Sequence, residues 1–349
     1  MTRKKIAIVG SGVSGLATLW TLRNTDHEIH LYEKDDRLGG HTNTVIWTHN
    51  GKTTPVDTGF IVLNSATYRK FQRTALFRLQ THIRTANFIA FLQALNIRIN
   101  PTEMTFGVSR DKGSLEWSGT SLNSIFAQRR NIISPRFWRM ILDIVRFNQF
   151  ALDLLSEEAQ TSNAHSESEL SIGEYLEQNG YSDAFRDDYL IPMTACVWSA
   201  GPEKCALEFP AMTLVRFMWN HHLLNTISER PPWLTVEGGA QRYIDAVLKT
   251  CPKAKVHLGT PVLSLVSKRD RVTLTFGGVR EDEQEDFDEV VLACHGNQAL
   301  RIVGGSATME QKEILSAFKT TPNMAYLHSD LSVCSPAPYR SSTANRTNS

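Results

Sequence analysis

The sequence of 349 residues has few cysteines, no long apolar run and almost no excess of charge. Its five cysteines are far apart and form no CxxC pair, which argues against a disulfide framework and favours a reducing, cytoplasmic compartment. No apolar stretch reaches the roughly 18 to 20 residues that cross a bilayer, so we expect no transmembrane segment. The net charge of +1 supplies no field that would attract nucleic acid. These absences argue against nucleic acid and a membrane span, and they leave the oligomeric state open.

The length exceeds what one hydrophobic core usually supports, so we expect two domains or one domain with a large insertion. With 41% hydrophobic and 21% charged residues, the composition excludes a collagen-like, coiled-coil or wholly disordered chain. Because this composition is also that of most globular proteins, the chemistry has to be inferred from local motifs.

A glycine motif follows the first apolar run of the chain. Residues 5–10 (KIAIVG) are typical of a buried parallel strand, and a helical pattern (ATLWTLRN) begins at Ala17. Between them lies a GxGxxG sequence, which indicates dinucleotide binding when it connects a strand to a helix. Its first glycine permits a tight turn, its second lets the backbone approach a pyrophosphate, and its third brings helix and strand together. The predicted cofactor contacts in this turn are Gly10, Gly12, Val13, Ser14 and Gly15.

An acidic residue ends the second predicted strand. That strand covers residues 28–32, and Glu33 lies 18 residues after Gly15. We therefore expect the carboxylate at the tip of the neighbouring strand, where it can accept hydrogen bonds from both ribose hydroxyls. It would repel a 2′-phosphate, so the ligand is predicted to be FAD or NAD rather than NADP.

A second glycine pair follows directly, in the sequence EKDDRLGGHT at residues 33–42. A second turn with open backbone amides can enclose the same pyrophosphate from the other side, which favours FAD over NAD. The candidate cofactor contacts in this turn are Lys34, Arg37, Gly39, Gly40 and His41.

With these motifs the chain resembles the superfamily of FAD-dependent amine oxidases, protoporphyrinogen oxidases and phytoene desaturases, over roughly residues 4–331. Within it, the chain looks most like a branch of FAD/NAD(P)-binding, amine-oxidase-like proteins. The superfamily usually has arginine after the second glycine pair, where this chain has His41, whose imidazole can also donate to phosphate. The resemblance implies an α/β fold: a Rossmann-like FAD-binding domain of the GR2 type with an inserted, mostly helical α+β substrate domain.

The resemblance also assigns later residues to the cofactor. In the family, the backbone at the position of Val262 hydrogen-bonds the adenine, and the segment that contains Thr58 and Gly59 returns toward the flavin ring. A buried strand ends at His295, where the family's chain passes near the cofactor. Asp57 has two open interpretations, because it can face the cofactor or act as a turn residue that accepts hydrogen bonds from local amides.

The domain boundaries implied by the resemblance are interleaved along the chain. Residues 1–66 and 232–303 are predicted to form the FAD-binding domain, and residues 87–231 and 304–331 the substrate domain. Apolar residues at helical spacing from Pro135 onward support a mostly helical substrate domain.

Two segments depart from the family's pattern. Residues 69–86 form an anomalous insert with a charge of +5. They fit a basic amphipathic helix. They also fit a retained short intron, because codons for the residues at both ends of the segment can contain splice-site sequences. Residues 332–349 are low in hydrophobic residues and are predicted to be a disordered tail. The family continues beyond this point, so we expect a truncated chain that encloses the flavin ring incompletely.

The function implied by the resemblance is that of an FAD-dependent oxidoreductase, in which hydride passes from a small or lipid-like substrate to the flavin. No catalytic residue and no metal site is predicted. One alternative is a redox-neutral flavin isomerase of the sugar-nucleotide mutase type. That enzyme would need an arginine cluster for a diphosphate, and Arg136, Arg139 and Arg146 are too scattered along the sequence to show one. The other alternative is a catalytically inactive flavin-binding fragment.

Overall fold

The computed structural model describes residues 2–64, 87–104, 106–119, 121–154, 170–198, 205–224, 232–320 and 326–329. Its strands are β1 (Lys5–Val9), β2 (Glu28–Tyr32), β3 (Thr44–His49), β4 (Lys52–Asp57), β5 (Leu63–Asn64), β6 (Ile99–Thr102), β7 (Gly107–Arg110), β8 (Leu115–Ser118), β9 (Trp233–Val236), β10 (Lys255–His257), β11 (Val262–Ser267), β12 (Val272–Phe276), β13 (Gln284–Phe287) and β14 (Glu289–Leu292). The basic insert at 69–86 and the tail at 332–349 lie outside the described residues, so the statements about them stay predictions.

The described helices alternate with these strands and are densest between β8 and β9. They are α1 (Val13–Leu22), α2 (Asn87–Ala94), α3 (Leu122–Ile125), α4 (Pro135–Phe150), α5 (Ile172–Gln178), α6 (Asp183–Phe185), α7 (Ile191–Trp198), α8 (Cys205–Glu208), α9 (Ala211–Asn220), α10 (Gln241–Thr250), α11 (Gly296–Val303) and α12 (Met309–Ser316). A π-helical turn at Arg186–Leu190 connects α6 to α7. Within the described part of the chain, no helix is both long enough and apolar enough to cross a membrane.

The chain divides into two compact units. The first contains Met1–Leu63, Asn87–Pro101 and Leu234–Thr320, and the described part of the second lies mainly within Thr102–Trp233. Residues 87–101 and 304–320 were predicted to belong to the substrate domain, but they lie in the first unit. The physical reason for the later stretch is packing, since α11 lies against β11 and α12 lies against α11.

Four parallel strands form the main sheet of the first unit, in the order β10-β2-β1-β14. The central strand β1 is covered on both faces, and its Ala7 and Ile8 are fully buried, as a run of apolar residues predicts. Helix α1 packs on β1 with Leu16 and Leu19 fully buried. The predicted Rossmann-like α/β fold is confirmed. Because the strands are parallel, the residues that follow β1, β2 and β14 meet at one edge, where sheets of this kind bind ligands.

Three antiparallel strands, in the order β11-β12-β13, pack on the parallel sheet. The two sheets share a core that contains Ala7, Val9, Tyr32, Leu274, Phe276 and Phe287. The hairpin β3–β4 also lies in this unit, and the strands β5, β9 and β6 form a further three-stranded sheet. The antiparallel sheet therefore covers one face of the parallel sheet.

A group of polar side chains joins the two sheets around Glu285 of β13. The Tyr32 hydroxyl donates to Glu285 Oε2 (3.1 Å), and Arg280 Nη1 donates to the same oxygen (2.8 Å). Lys5 Nζ lies 2.6 Å from Glu285 Oε1. Burial raises the pKa of Glu285, but the hydrogen bonds from Lys5 and Arg280 outweigh burial and lower this pKa to about 2. The carboxylate is therefore held in its charged form.

The second unit has a separate hydrophobic core built mainly from helices. Met140 and Phe147 of α4 are buried in it, at the spacing that predicts one face of a helix. On another face of α4, the side chains of Trp138, Leu142 and Val145 are exposed by 43%, 64% and 46%. Strands β7 and β8 of this unit form an antiparallel hairpin. Helix α4 is therefore apolar on two faces, of which one is buried in this core and the other is partly exposed.

Two buried carboxylates of the second unit form ion pairs with Arg136, Arg139 and Arg146, the arginines considered above for a diphosphate site. Asp143 contacts Arg139 Nε (3.0 Å) and Arg146 Nη1 (3.3 Å). Asp188 contacts Arg136 Nη2 (3.3 Å). The carboxylate side chains are exposed by only 2% and 3%. The arginines thus neutralise buried acids and are not grouped around an open anion site.

Candidate functional site

The turn between β1 and α1 requires glycine at two of its three motif positions. Gly10 has a φ of 102°, and a Cβ atom there would lie 2.7 Å from the carbonyl oxygen of Ala293, directly after β14. A Cβ atom on Gly15 would lie 1.9 Å from the Gly10 carbonyl oxygen. The first and third glycines therefore hold β1, α1 and the end of β14 in contact, as the fingerprint predicts.

The second glycine of the motif faces open space. Among the described residues, none has an atom within 4 Å of a Cβ atom built on Gly12. Gly12 is the N-cap of α1, no side chain caps this helix, and its first turn contains no acidic residue. Val13 and Ser14 are exposed beside it. The first amides of α1 are thus left for an external acceptor, which is the arrangement of an anion site at a helix N-terminus.

Glu33 is buried directly after β2 and fixes the first glycine turn. Its Oε2 accepts hydrogen bonds from the Ser11 backbone N–H (2.9 Å) and hydroxyl (2.5 Å). Its Oε1 accepts from the Asp35 N–H (3.1 Å). Only 6% of the residue is exposed. The sequence predicted where this carboxylate lies. It did not predict the contact with Ser11, a motif position to which no role was assigned. The contact with ribose stays a prediction.

The second glycine turn lies against the first. The Gly39 N–H donates to the Ser11 carbonyl (3.2 Å) and hydroxyl (3.1 Å) oxygens. Gly40 has a φ of 57°, and a Cβ atom on it would lie 3.1 Å from Gly12 Cα. The structure thus brings the two predicted turns together around the open space at Gly12.

The basic residues of this second turn are engaged within the protein. Arg37 donates to the carbonyl oxygens of Thr42 (3.0 Å) and Gly40 (2.9 Å), so it holds the shape of its own turn. Lys34 pairs with Asp35 at 3.3 Å and is 60% exposed. Their predicted contacts with the cofactor stay predictions, and the structural role of Arg37 is a finding that the sequence did not show.

His41 lies at the edge of the open space and stacks on His295. Their ring centroids are 5.3 Å apart with an interplanar angle of 15°, and both residues are exposed. His295 follows β14 and is the N-cap of α11. Sequence reasoning did not connect the two histidines, although the position of His295 after a strand of the same sheet was an available signal.

Thr58 and Gly59 pack against the second glycine turn from β4. The side-chain amide of Asn43 donates to Thr58 Oγ1 (2.9 Å), and a Cβ atom on Gly59 would lie 1.8 Å from the His41 carbonyl oxygen. Asp57 accepts hydrogen bonds from the Ala240 N–H at the start of α10 (3.0 and 3.1 Å). Asp57 therefore accepts from an amide 183 residues away and not from the local amides of a turn.

Val262 lies near Glu33 at the start of β11. The Thr260 N–H donates to the Glu33 carbonyl oxygen (2.8 Å), which brings the segment before β11 next to the end of β2. The pairing of β11 with β12 shifts register between Val262 and Ser264. The predicted contact between the Val262 backbone and an adenine is not tested by this geometry and stays a prediction.

A cavity formed by described residues lies elsewhere in this unit. It has a volume of about 560 Å³ and lies at the amino end of β1, with Arg3, Arg269, Arg271 and Asp288 among its lining residues. Ligands of doubly wound sheets bind at the carboxyl ends of the strands, and this cavity is at the opposite end. We therefore locate the candidate site at the two glycine turns. The described residues contain no group of three or more metal-ligating side chains that could hold an ion.

The residues of this site fit a dinucleotide. The open space at Gly12, the uncapped amides of α1 and a buried carboxylate at the end of β2 are together at the carboxyl edge of the sheet. This combination matches a pyrophosphate on a helix N-terminus with a ribose beside the acid.

Comparison with known proteins agrees with this geometry. Residues 8–77 match the family described as NAD(P)-binding Rossmann-like domain. Similar solved structures include cyclohexylamine oxidase from Brevibacterium oxydans IH-35A (15% identity, TM-score 0.62). Wild-type putrescine oxidase bound to putrescine (19%, 0.57) and the CLA-producing fatty acid isomerase from P. acnes (13%, 0.54) are similar too.

Each of these three matches covers 90% of this chain and 63% of the other chain, so the protein spans less than two thirds of their length. At these identities the likeness concerns the fold, which occurs in oxidases and in an isomerase alike. The resemblance inferred from the sequence is confirmed at that level. The chain therefore has the fold of the amine-oxidase-like proteins.

Proposed function

We propose that the chain binds FAD at the two glycine turns. The observation that carries the proposal is the direct contact of both turns through Ser11 and Gly39, beside the uncapped N-terminus of α1. One turn at a helix N-terminus suffices for a simple phosphate, whereas two opposed turns suit the pyrophosphate of a long dinucleotide. The residues that would hold it are Gly10, Gly12, Val13, Ser14, Gly15, Glu33, Gly39, Gly40, His41, Thr58, Gly59 and Val262.

The reaction that we propose for the whole protein is oxidation of a small or lipid-like substrate. The flavin supplies the hydride acceptor when it is bound. The role of the chain's own residues is to bind and orient the dinucleotide, and Glu33, held by Ser11 and Asp35, is the part that would select against a 2′-phosphate. We name no catalytic residue, and the proposed location is the cytoplasm.

Isomerisation without net redox change is the alternative reaction. The sugar-nucleotide mutase type is disfavoured, because Arg136, Arg139 and Arg146 bind buried carboxylates instead of forming an open diphosphate site. Because a fatty acid isomerase has a similar fold, isomerisation of a lipid is the alternative reaction to test. A flavin-binding chain without activity is the third outcome.

The experiment is to purify the chain, titrate it with FAD and follow quenching of flavin fluorescence, with NAD and NADP as competitors. We expect saturable FAD binding. We also expect NADP to compete at least about tenfold more weakly than NAD, a difference of roughly 1.4 kcal/mol in binding free energy. Equal binding of NADP would contradict the assignment of Glu33, and absence of FAD binding would contradict the proposed cofactor.

Activity is tested separately on the FAD complex without oxygen. Loss of the visible flavin absorbance on addition of an amine or an unsaturated fatty acid supports an oxidoreductase. A rearranged product with unchanged absorbance supports the isomerase. Neither change, with FAD bound, identifies an inactive flavin-binding chain.

A further inference from the structure

We infer that His41 and His295 act together as a two-imidazole clamp on the pyrophosphate, so that dinucleotide binding takes up protons. The inference rests on the proposed function and deepens it, because it adds His295 to the site. It makes the affinity for FAD depend on pH.

Backbone contacts place both rings at the open space beside Gly12. Gly40 lies against Gly12, which puts His41 one residue away from the point where the two glycine turns meet. Gly10 lies against Ala293 and Cys294, the two residues that connect the end of β14 to His295. The rings then stack with centroids 5.3 Å apart. Two different parts of the chain therefore present imidazoles to the same space.

The backbone on both sides of this pair is fixed. The His41 carbonyl accepts a hydrogen bond from the Phe60 N–H (3.3 Å), and Gly59 packs against the same carbonyl. The His295 N–H donates to Gln298 Oε1 (3.2 Å) in the first turn of α11. Both residues are exposed, so their rings can reach a ligand in front of the turns. The pair is thus a preformed feature that the fold positions.

The charged groups around the pair favour an anion. Arg37 in the second glycine turn contributes positive charge, and the charge of Arg301 on α11 acts on Cys294, the neighbour of His295. The carboxylate of Glu33 is occupied by Ser11 and Asp35. Burial raises the pKa of the Cys294 thiol, which therefore stays uncharged. The N-termini of α1 and α11 add the positive ends of two helix dipoles.

Imidazole is the side chain that most readily changes charge near neutral pH. Two stacked imidazoles repel each other when both are protonated, and the two negative charges of a pyrophosphate remove that penalty. Binding of the dinucleotide should therefore be accompanied by proton uptake on His41, His295 or both. An arginine at position 41, which the superfamily usually carries, would be charged at every pH and would bind without proton uptake.

The experiment is calorimetric titration of the chain with FAD in two buffers that differ in ionisation enthalpy, which counts the protons taken up. FAD is the probe because its pyrophosphate does not itself titrate near neutral pH. We expect proton uptake, and an affinity about tenfold higher at about pH 6 than at about pH 8. His295→Asn and His41→Asn should each reduce the uptake and the pH dependence, whereas His41→Arg should reduce the pH dependence and strengthen binding at the higher pH.

The matched control is His49→Gln, an exposed histidine of the same unit at the end of β3, which should leave both quantities unchanged. FAD binding without proton uptake, or uptake that survives in His41→Asn/His295→Asn, overturns the inference and leaves the proposed cofactor intact. Failure of FAD to bind at any pH overturns the proposed function itself. Circular dichroism of each variant separates loss of binding from loss of fold.

Discussion

At the scale of single residues, the glycines of the first turn have different physical roles. Gly15 is required by packing, because a Cβ atom there would lie 1.9 Å from the Gly10 carbonyl oxygen. Gly12 has an ordinary φ of −63° and open space beside it. A methyl group at Gly12 would therefore meet the ligand and not the protein. One motif thus contains a glycine for folding and a glycine for binding.

Alanine substitution separates these two roles. We expect Gly15→Ala to lower the free energy of unfolding by about 1–3 kcal/mol, because the backbone must move to admit the methyl group. Gly12→Ala should change this free energy by no more than about 0.5 kcal/mol. It should weaken FAD binding at least about tenfold, roughly 1.4 kcal/mol. Urea unfolding and flavin fluorescence measure the two effects. A Gly12→Ala variant that binds FAD normally would show that the pyrophosphate does not lie over this glycine.

At the scale of residues, the sequence predicts positions that local spacing fixes, but it does not predict contacts between distant parts of the chain. Gly10, Gly15 and Glu33 could be predicted because spacing along a strand, a turn and a helix fixes where they lie. The stacking of His41 on His295 could not, because it joins residues that are far apart in the chain and depends on the register of β14 beside β1. The engagement of Arg37 by carbonyl oxygens likewise depends on the path of the second turn.

At the scale of elements, helix α4 combines one packed and one exposed apolar face. Periodicity predicted the helix, but it could not say which apolar residues are buried, since Met140 and Leu142 are both apolar and lie on different faces. Burial was decided by the neighbouring helices of the second unit, which no local pattern describes. The element was therefore predictable, and its orientation was not.

Paired substitutions in α4 test that orientation. We expect Met140→Ala to lower the free energy of unfolding by about 2–4 kcal/mol, because it leaves a cavity in the core of the second unit. Leu142→Ala, in the same helix and at a side chain that is 64% exposed, should cost less than about 0.5 kcal/mol. Urea unfolding monitored by tryptophan fluorescence compares the two. Equal losses would mean that Leu142 is covered in solution.

At the scale of the whole molecule, the first unit is closed by contacts between distant parts of the chain. Lys5 and Tyr32 from its beginning meet Glu285 near its end, and β1 pairs with β14. The sequence predicted this discontinuous sheet only through the resemblance to a family. It gave no sign of the ionic cluster, because Lys5 and Glu285 have no local relationship.

The cluster makes the stability of the first unit sensitive to acid. Glu285 has a folded pKa of about 2 against an ordinary value of 4.5. Its stabilising contribution is therefore complete above the ordinary value and is lost as the pH falls toward 2. We expect Glu285→Gln to lower the free energy of unfolding by about 1–3 kcal/mol at neutral pH. The difference from the wild type should narrow below pH 4.5 in urea unfolding.

The control is Glu283→Gln, which removes an ion pair with the same Arg280 from a side chain that is 55% exposed. An exposed pair contributes little, so this variant should follow the wild type across the pH range within about 1 kcal/mol. A difference between Glu285→Gln and the wild type that stays constant down to low pH would contradict the role assigned to the cluster.

The pairing of β1 with β14 also has a consequence for synthesis of the chain. The Lys5 N–H bonds the Asp288 side chain, a separation of 283 residues. At about 5–20 residues per second, a ribosome needs roughly 15 to 60 seconds to make the partner of β1 after β1 itself has emerged. During that time the backbone N–H and C=O groups along one edge of the apolar strand β1 are unpaired, and such an edge is a template for aggregation. Chaperones that bind nascent chains should therefore contribute more to the yield of this protein than its final stability suggests.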